Sequence, residues 1–222
     1  MNHLNVTLKQ FALYVLGLFI LALGVSFSIE AGFGVSPVSS LAVAITLSTG
    51  ISVGATTVFA NVLFILIQVI LNKRLDLKEF AVQLIIAFLF GFFMDGTLLI
   101  LQIFPTPESI VVRSIYLLLS LLVVALGLLG YITAKLPLMP YDALTYAISE
   151  RFQLKFSKAK IISDFINVSV AGMVCLLSIQ SLGSIGIGTL LAAYFIGKIL
   201  GWLIGHYQKN LQHWVQVREG EV

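Results

Sequence analysis

Residues 37–48, Pro-Val-Ser-Ser-Leu-Ala-Val-Ala-Ile-Thr-Leu-Ser, form a short apolar segment headed by a proline. Proline suits the first position of a helix, because the N–H it lacks would have no partner there. A dozen helical residues rise only about 18 Å, well short of the ~30 Å hydrocarbon layer of a bilayer. The segment therefore reads as a half-helix, either re-entrant or interfacial. A second proline-headed segment, Pro140 to Phe152, lies 103 positions further along the chain.

Longer apolar runs flank both segments, at about 11–30, 55–72, 79–103, 112–133, 158–178 and 184–206. Each is near the ~20 residues that a spanning helix requires. Composition agrees: 59% of the 222 residues are hydrophobic, 10% are charged, and the mean hydropathy is +1.05. A soluble domain carries roughly 25% charged residues. So few charges cannot coat a water-soluble globule, and most of the surface must face lipid. The expected fold is an all-α membrane protein of six transmembrane helices, forming one domain over residues 1–222. Its partners are then the lipid bilayer and a small-molecule substrate.

The net charge of +3 and pI near 9.0 come from loop lysines and arginines, so they speak of topology and lend no support to nucleic-acid binding. With six spans, eleven of the thirteen basic residues fall on the side that holds both ends. By the positive-inside rule both termini are cytoplasmic. The lysines from Lys155 to Lys160 read as part of this anchor. Cys175 is the single cysteine and sits in an apolar run, as a buried thiol does. Phe11 to Ile29 lacks a small-x-small cleavage site and reads as a retained span.

Shifting the chain by 103 positions aligns its halves. Ala22-Leu23-Gly24 falls on Ala125-Leu126-Gly127, Pro37 on Pro140, Leu41 on Leu144, and Asn61 on Asp164. After a slip of three residues, Ala87 to Gly91 falls on Ala193 to Gly197. Each half has the order span, short helix, span, span, and three crossings per half turn the second copy upside down. The charges fit, since the loop from Ala31 to Ala55 has none and its mate from Ala134 to Lys158 is basic. The expected repeats are 11–103 and an inverted copy at 112–206, followed by a cytoplasmic tail, 207–222. Inverted repeats with broken helices are a common plan among secondary transporters.

Four stretches carry a resemblance to a known family: Gly34-Val35-Ser36-Pro37, Pro137-Leu-Met-Pro-Tyr-Asp-Ala-Leu144, Ser157-Lys-Ala-Lys-Ile161 with Asp164, and Gly186-Ile-Gly-Thr189. Together they resemble the YczE/YyaS/YitT group of bacterial membrane proteins, with the YczE branch the most similar. The resemblance implies a multi-pass protein of the bacterial plasma membrane with about six spans.

Polar groups at membrane depth are costly and tend to mark pathways or pairs. Counted along the spans at 1.5 Å per residue, they sort into two clusters. The outer one holds Ser36, Ser39, Asn61 and Asp95; the inner one holds Tyr141, Asp142, Asp164 and Lys198. Asp164 and Lys198 share a depth and are expected partners, either as a structural ion pair or as part of a substrate path. Asp95, flanked by Phe92, Phe93 and Met94, has no basic partner in the sequence and is a candidate proton carrier. Asp142 suits the start of a short helix, where an acid complements the dipole. The glycines of Gly183 to Thr189 read as a tight turn in preference to a phosphate cradle.

All three histidines, His3, His206 and His213, lie near the ends, and no metal or nucleophile constellation appears. No enzyme, metal or other cofactor is expected. The leading function is alternating-access transport of a small anionic or zwitterionic metabolite, proton-coupled through Asp95. The rivals are a substrate-binding subunit of a larger importer, with Gly17, Ala22 and Gly24 as a faint docking face, and a non-transporting scaffold for biosynthetic enzymes.

Overall fold

The computed structural model describes residues 8–73 and 76–216. They form eight helices: α1 (Leu8–Ala31), α2 (Pro37–Thr49), α3 (Val53–Asn72), α4 (Leu77–Leu101), α5 (Ile110–Thr133), α6 (Pro140–Arg151), α7 (Phe156–Ile179) and α8 (Ile187–Gln216). Among the described residues there is no strand. Six helices are long and apolar enough to cross a membrane, while α2 and α6 are the two short ones. Large apolar side chains such as Phe59, Phe92, Leu118, Phe165 and Leu177 stand on the outside of the bundle, as lipid contact requires.

Local chemistry sets the helix ends. Pro37 and Pro140 open α2 and α6 at the first turn. Ser52, Asp76 and Ser109 accept hydrogen bonds from the first-turn N–H groups of α3, α4 and α5. Gly50 ends α2 in the left-handed conformation, returning its N–H to Thr46.

The centre of the bundle is the antiparallel contact of α1 with α5. Arg113, near the start of α5, donates to the carbonyls of Ala31 and Gly32 at the end of α1 (2.8 and 2.7 Å). Further in, a side chain on Gly24 would collide with Val124, and one on Gly127 with Leu21. Gly17 meets the α5 backbone in the same way, and Ala22 is fully buried. These small residues are used up inside the molecule.

Around this pair, α1 also packs on α4 and α5 on α8; α2 packs on α7 and α3 on α6; α2 touches α3 and α6 touches α7. Each of these contacts recurs when α1–α4 are exchanged for α5–α8. The α3–α4 contact does not. α3 lies close along α4, where Gly54 and Gly91 face each other, whereas α7 and α8 barely touch.

The glycines of 183–189 form a turn that lies against the lead-in to α2. Gly188 donates to the Phe33 carbonyl (2.7 Å) and Val35 to that of Ser184 (3.0 Å). Gly186 approaches Phe33 and Gly34 too closely for any side chain.

Within the expected tail, residues 207–216 continue α8 as helix. Leu211 packs against the cluster of Ala125, Leu129 and Leu203, and Trp214 lies 5.8 Å from the Lys9 ammonium. Helical periodicity carries Leu211, Trp214 and Val215 back onto the bundle. The remainder of the expected tail, 217–222, lies outside the described residues.

Candidate functional site

The N-terminal ends of both short helices open into one cavity of about 410 Å³. α2 contributes Ser36 to Ser39, and α6 contributes Tyr141 and Asp142 behind Met139. Mid-helix residues of the long spans complete it: Leu21 and Val25 of α1, Phe90 of α4, Val124 and Leu128 of α5, and Ile196 and Gly197 of α8. Most of the wall is apolar, and Tyr141, Asp142, Lys160 and Asp164 together make a polar end.

That end is built around Lys160. Its ammonium lies 3.3 Å from Asp164 and 3.7 Å from Asp142, and 4.2 Å from the centre of the Tyr141 ring. Asp164 and Lys160 are four residues apart on α7, the spacing that puts two side chains on one helix face. Tyr141 is buried and donates its hydroxyl to Asp164. Burial, and then the nearby Asp164 carboxylate, push its phenol far above the usual range, so it stays a neutral donor.

Neighbouring side chains fix the two helix starts. Asn167 donates to the Pro37 carbonyl at 2.6 Å, tying α2 to α7. Tyr14 donates to the Pro137 carbonyl at 2.8 Å. The Met139 N–H donates to the Tyr131 hydroxyl at 2.6 Å, and Tyr131 reaches Asp142 at 3.4 Å. The polar end is thus held by bonds from α1, α5 and α7.

One ammonium between two carboxylates leaves a single net negative charge. Two helix N-termini of roughly half a positive charge each offset it. The result is an end near neutrality that carries both signs of charge and faces an apolar chamber.

Five of the eight residues singled out in the sequence line this cavity: Ser36, Ser39, Tyr141, Asp142 and Asp164. Members of the outer cluster and of the inner cluster thus line the same cavity. The other three residues are elsewhere. Asn61 donates to the Thr57 carbonyl within α3 (2.9 Å). Asp95 sits across from the start of α3, accepting from the Gly54 N–H (2.6 Å) and the Ser52 hydroxyl (2.8 Å). Lys198 is exposed and turns to Tyr194 on its own helix, so the expected Asp164–Lys198 pair does not form. The two side chains point in different directions around the bundle, which equal depth along the spans does not prevent. Lys160 takes the place of Lys198. Its i, i+4 spacing to Asp164 is the signal that marks it in the sequence, masked there by a run of lysines that reads as an anchor.

Over residues 8–205 the chain matches a family described as a family of unknown function (DUF6198). It belongs to this family. The DUF6198 match takes in all eight helices up to the last part of α8. Among curated proteins, the chain is 30% identical to "Uncharacterized protein YyaS" of Bacillus subtilis (strain 168) over 191 residues, 86% of this chain and 90% of the relative. It is 26% identical to an "Uncharacterized protein" of Haemophilus influenzae over 196 residues, 88% of this chain and 84% of that one. These two relatives are thus bacterial and of similar length. No solved structure matches the chain.

Proposed function

We propose that this protein is a secondary transporter of a small zwitterionic molecule with an apolar body, working by alternating access between two inverted repeats. The observation that carries the proposal is the symmetry of the cavity wall. Under the 103-residue shift, Leu21 pairs with Val124, Val25 with Leu128, Ser36 with Met139, Val38 with Tyr141, and Ser39 with Asp142. Under the slipped shift, Phe90 pairs with Ile196. Both members of every pair line the cavity, which is what a chamber on a pseudo-two-fold axis requires. The recurrence of helix contacts under the same exchange supports the reading further.

An axis in the membrane plane turns the halves over, so the positive-inside rule then puts both termini in the cytoplasm of the bacterial plasma membrane. Within its family we place the chain near the YczE branch, on the Pro140-Tyr141-Asp142 segment. A free anion is disfavoured as cargo, because Lys160 is already shared by two carboxylates. A zwitterion can exchange both charges at once. We assign Asp95 a structural role in place of proton coupling, since its bonds are those of a cap reaching from α4 to α3.

The test is counterflow in proteoliposomes with matched sets of zwitterionic, anionic and cationic solutes that share one apolar body. Saturable exchange of the zwitterions, lost in Asp164→Asn, is expected. Absence of flux and of ligand-induced thermal stabilisation across the set would refute transport.

A further inference from the structure

A second polar cluster lies at the turn between α3 and α4. Gln68 and Asn72 come from the end of α3, Asp76 caps α4, and Glu79 and Gln83 lie in its first turns. One oxygen of Glu79 accepts from the amides of both Gln68 (2.9 Å) and Gln83 (3.0 Å). A carboxylate can only accept, so both amides must turn their NH₂ groups to Glu79, and this fixes which way each glutamine lies.

The consequence falls on the other end of each amide. Gln68 Oε1 and Gln83 Oε1 are buried and meet no donor among the described residues, on side chains only 6% and 3% exposed. Buried carbonyls of this kind are costly unless something satisfies them. Both glutamines, with Asn72, Asp76 and Glu79, line a cavity of about 20 Å³, room for one water-sized occupant. The same two glutamines, Asn72 and Glu79 also border a wider vestibule of about 420 Å³, whose wall includes Leu138, a residue that lines the central cavity too.

We propose that this pocket binds one monovalent cation of the size of sodium. The two amide carbonyls and the Glu79 and Asp76 carboxylates supply oxygen ligands of the kind that hard cations prefer. A divalent ion fits less well. Calcium takes six to eight oxygens and magnesium keeps several waters, while this pocket has room for a single particle. Much of the acidic charge is also spent already: Glu79 accepts two amides, and Asp76 accepts from the N–H groups of Lys78 and Glu79. The site has no counterpart in the other half, where the shift places Ala171, Ile185 and Thr189, so it gives the chain one ion per copy.

The experiment is binding of radioactive sodium to the purified full chain in choline chloride, with melting temperature followed as sodium or potassium replaces choline at constant ionic strength. Saturable binding near one sodium per chain is expected, with a rise in melting temperature over the same concentrations. Gln83→Leu and Glu79→Gln should lower the affinity at least tenfold. Asp164→Asn, in the central cavity, should leave sodium binding unchanged even if transport fails. Absence of saturable binding to the wild-type chain overturns the proposal and leaves a water as the occupant. So does binding that survives both Gln68→Leu and Gln83→Leu in monodisperse protein.

Discussion

Gly24 and Gly127 each lie against the helix that carries the other: Gly24 meets Val124, and Gly127 meets Leu21. The two contacts are one contact seen twice, because 21 and 24 become 124 and 127 under the same shift. Backbones can approach this closely only where no side chain intervenes.

Replacing either glycine by leucine should therefore drive α1 and α5 apart. Overpacking of a close core contact costs about 1–3 kcal/mol or more, so a clear fall in melting temperature is expected for Gly24→Leu and Gly127→Leu alike. At Gly197 an added methyl group would meet nothing within 4 Å among the described residues, so alanine there should be accepted within about 0.5 kcal/mol. Thermal melts in one detergent compare all three.

On the proposed inverted arrangement, the loops after α2 and α6 lie on opposite faces of the membrane. Ile51 and Gln153 are both exposed, and the native Cys175 is fully buried and should give little background. In intact cells an impermeant maleimide should label Ile51→Cys from outside. It should reach Gln153→Cys only after permeabilisation. Labelling of both from one face would rule out the inverted topology.

Removing the Lys160 ammonium exposes Asp142 and Asp164 to each other. Hydrogen bonds to charged groups contribute about 1.5–3 kcal/mol, so Lys160→Gln should weaken zwitterion binding by roughly 10- to 100-fold. Tyr141→Phe removes a donor from one carboxylate only, and a smaller loss is expected. Equilibrium binding on the purified variants separates the two.

Asp95→Ala should loosen the start of α3 and leave cargo movement alone. Loss of a capping oxygen costs about 0.5–2 kcal/mol, enough to lower the melting temperature by a few degrees. Flux and its pH profile should stay as in the wild type; a flattened profile would return the proton-carrying role to this carboxylate.

The spans are legible in the sequence because burial in lipid imposes a length and a composition that no other environment demands. The short helices are legible from Pro37 and Pro140. Azimuth is not legible. Depth can be counted along a helix, but whether Lys198 faces inward depends on how α8 rolls against α5, which a single sequence does not state. The partners of Asp95 are hidden for the same reason, since Ser52 and Gly54 stand at the start of another helix. Asn167 and the two glutamines pass as single amides within apolar runs, although such groups seldom stand in a span without a bond to make.

The looseness between α7 and α8 has a bearing on how cargo would arrive. Those helices flank the central chamber, with Lys160 and Asp164 on one and Ala193 and Gly197 on the other, and little closes the seam between them. A solute with a greasy body would come in sideways from among the acyl tails, after dissolving in the bilayer. Its apparent affinity then reflects partitioning into lipid as much as fit, and detergent alkyl chains become competitors for the same seat.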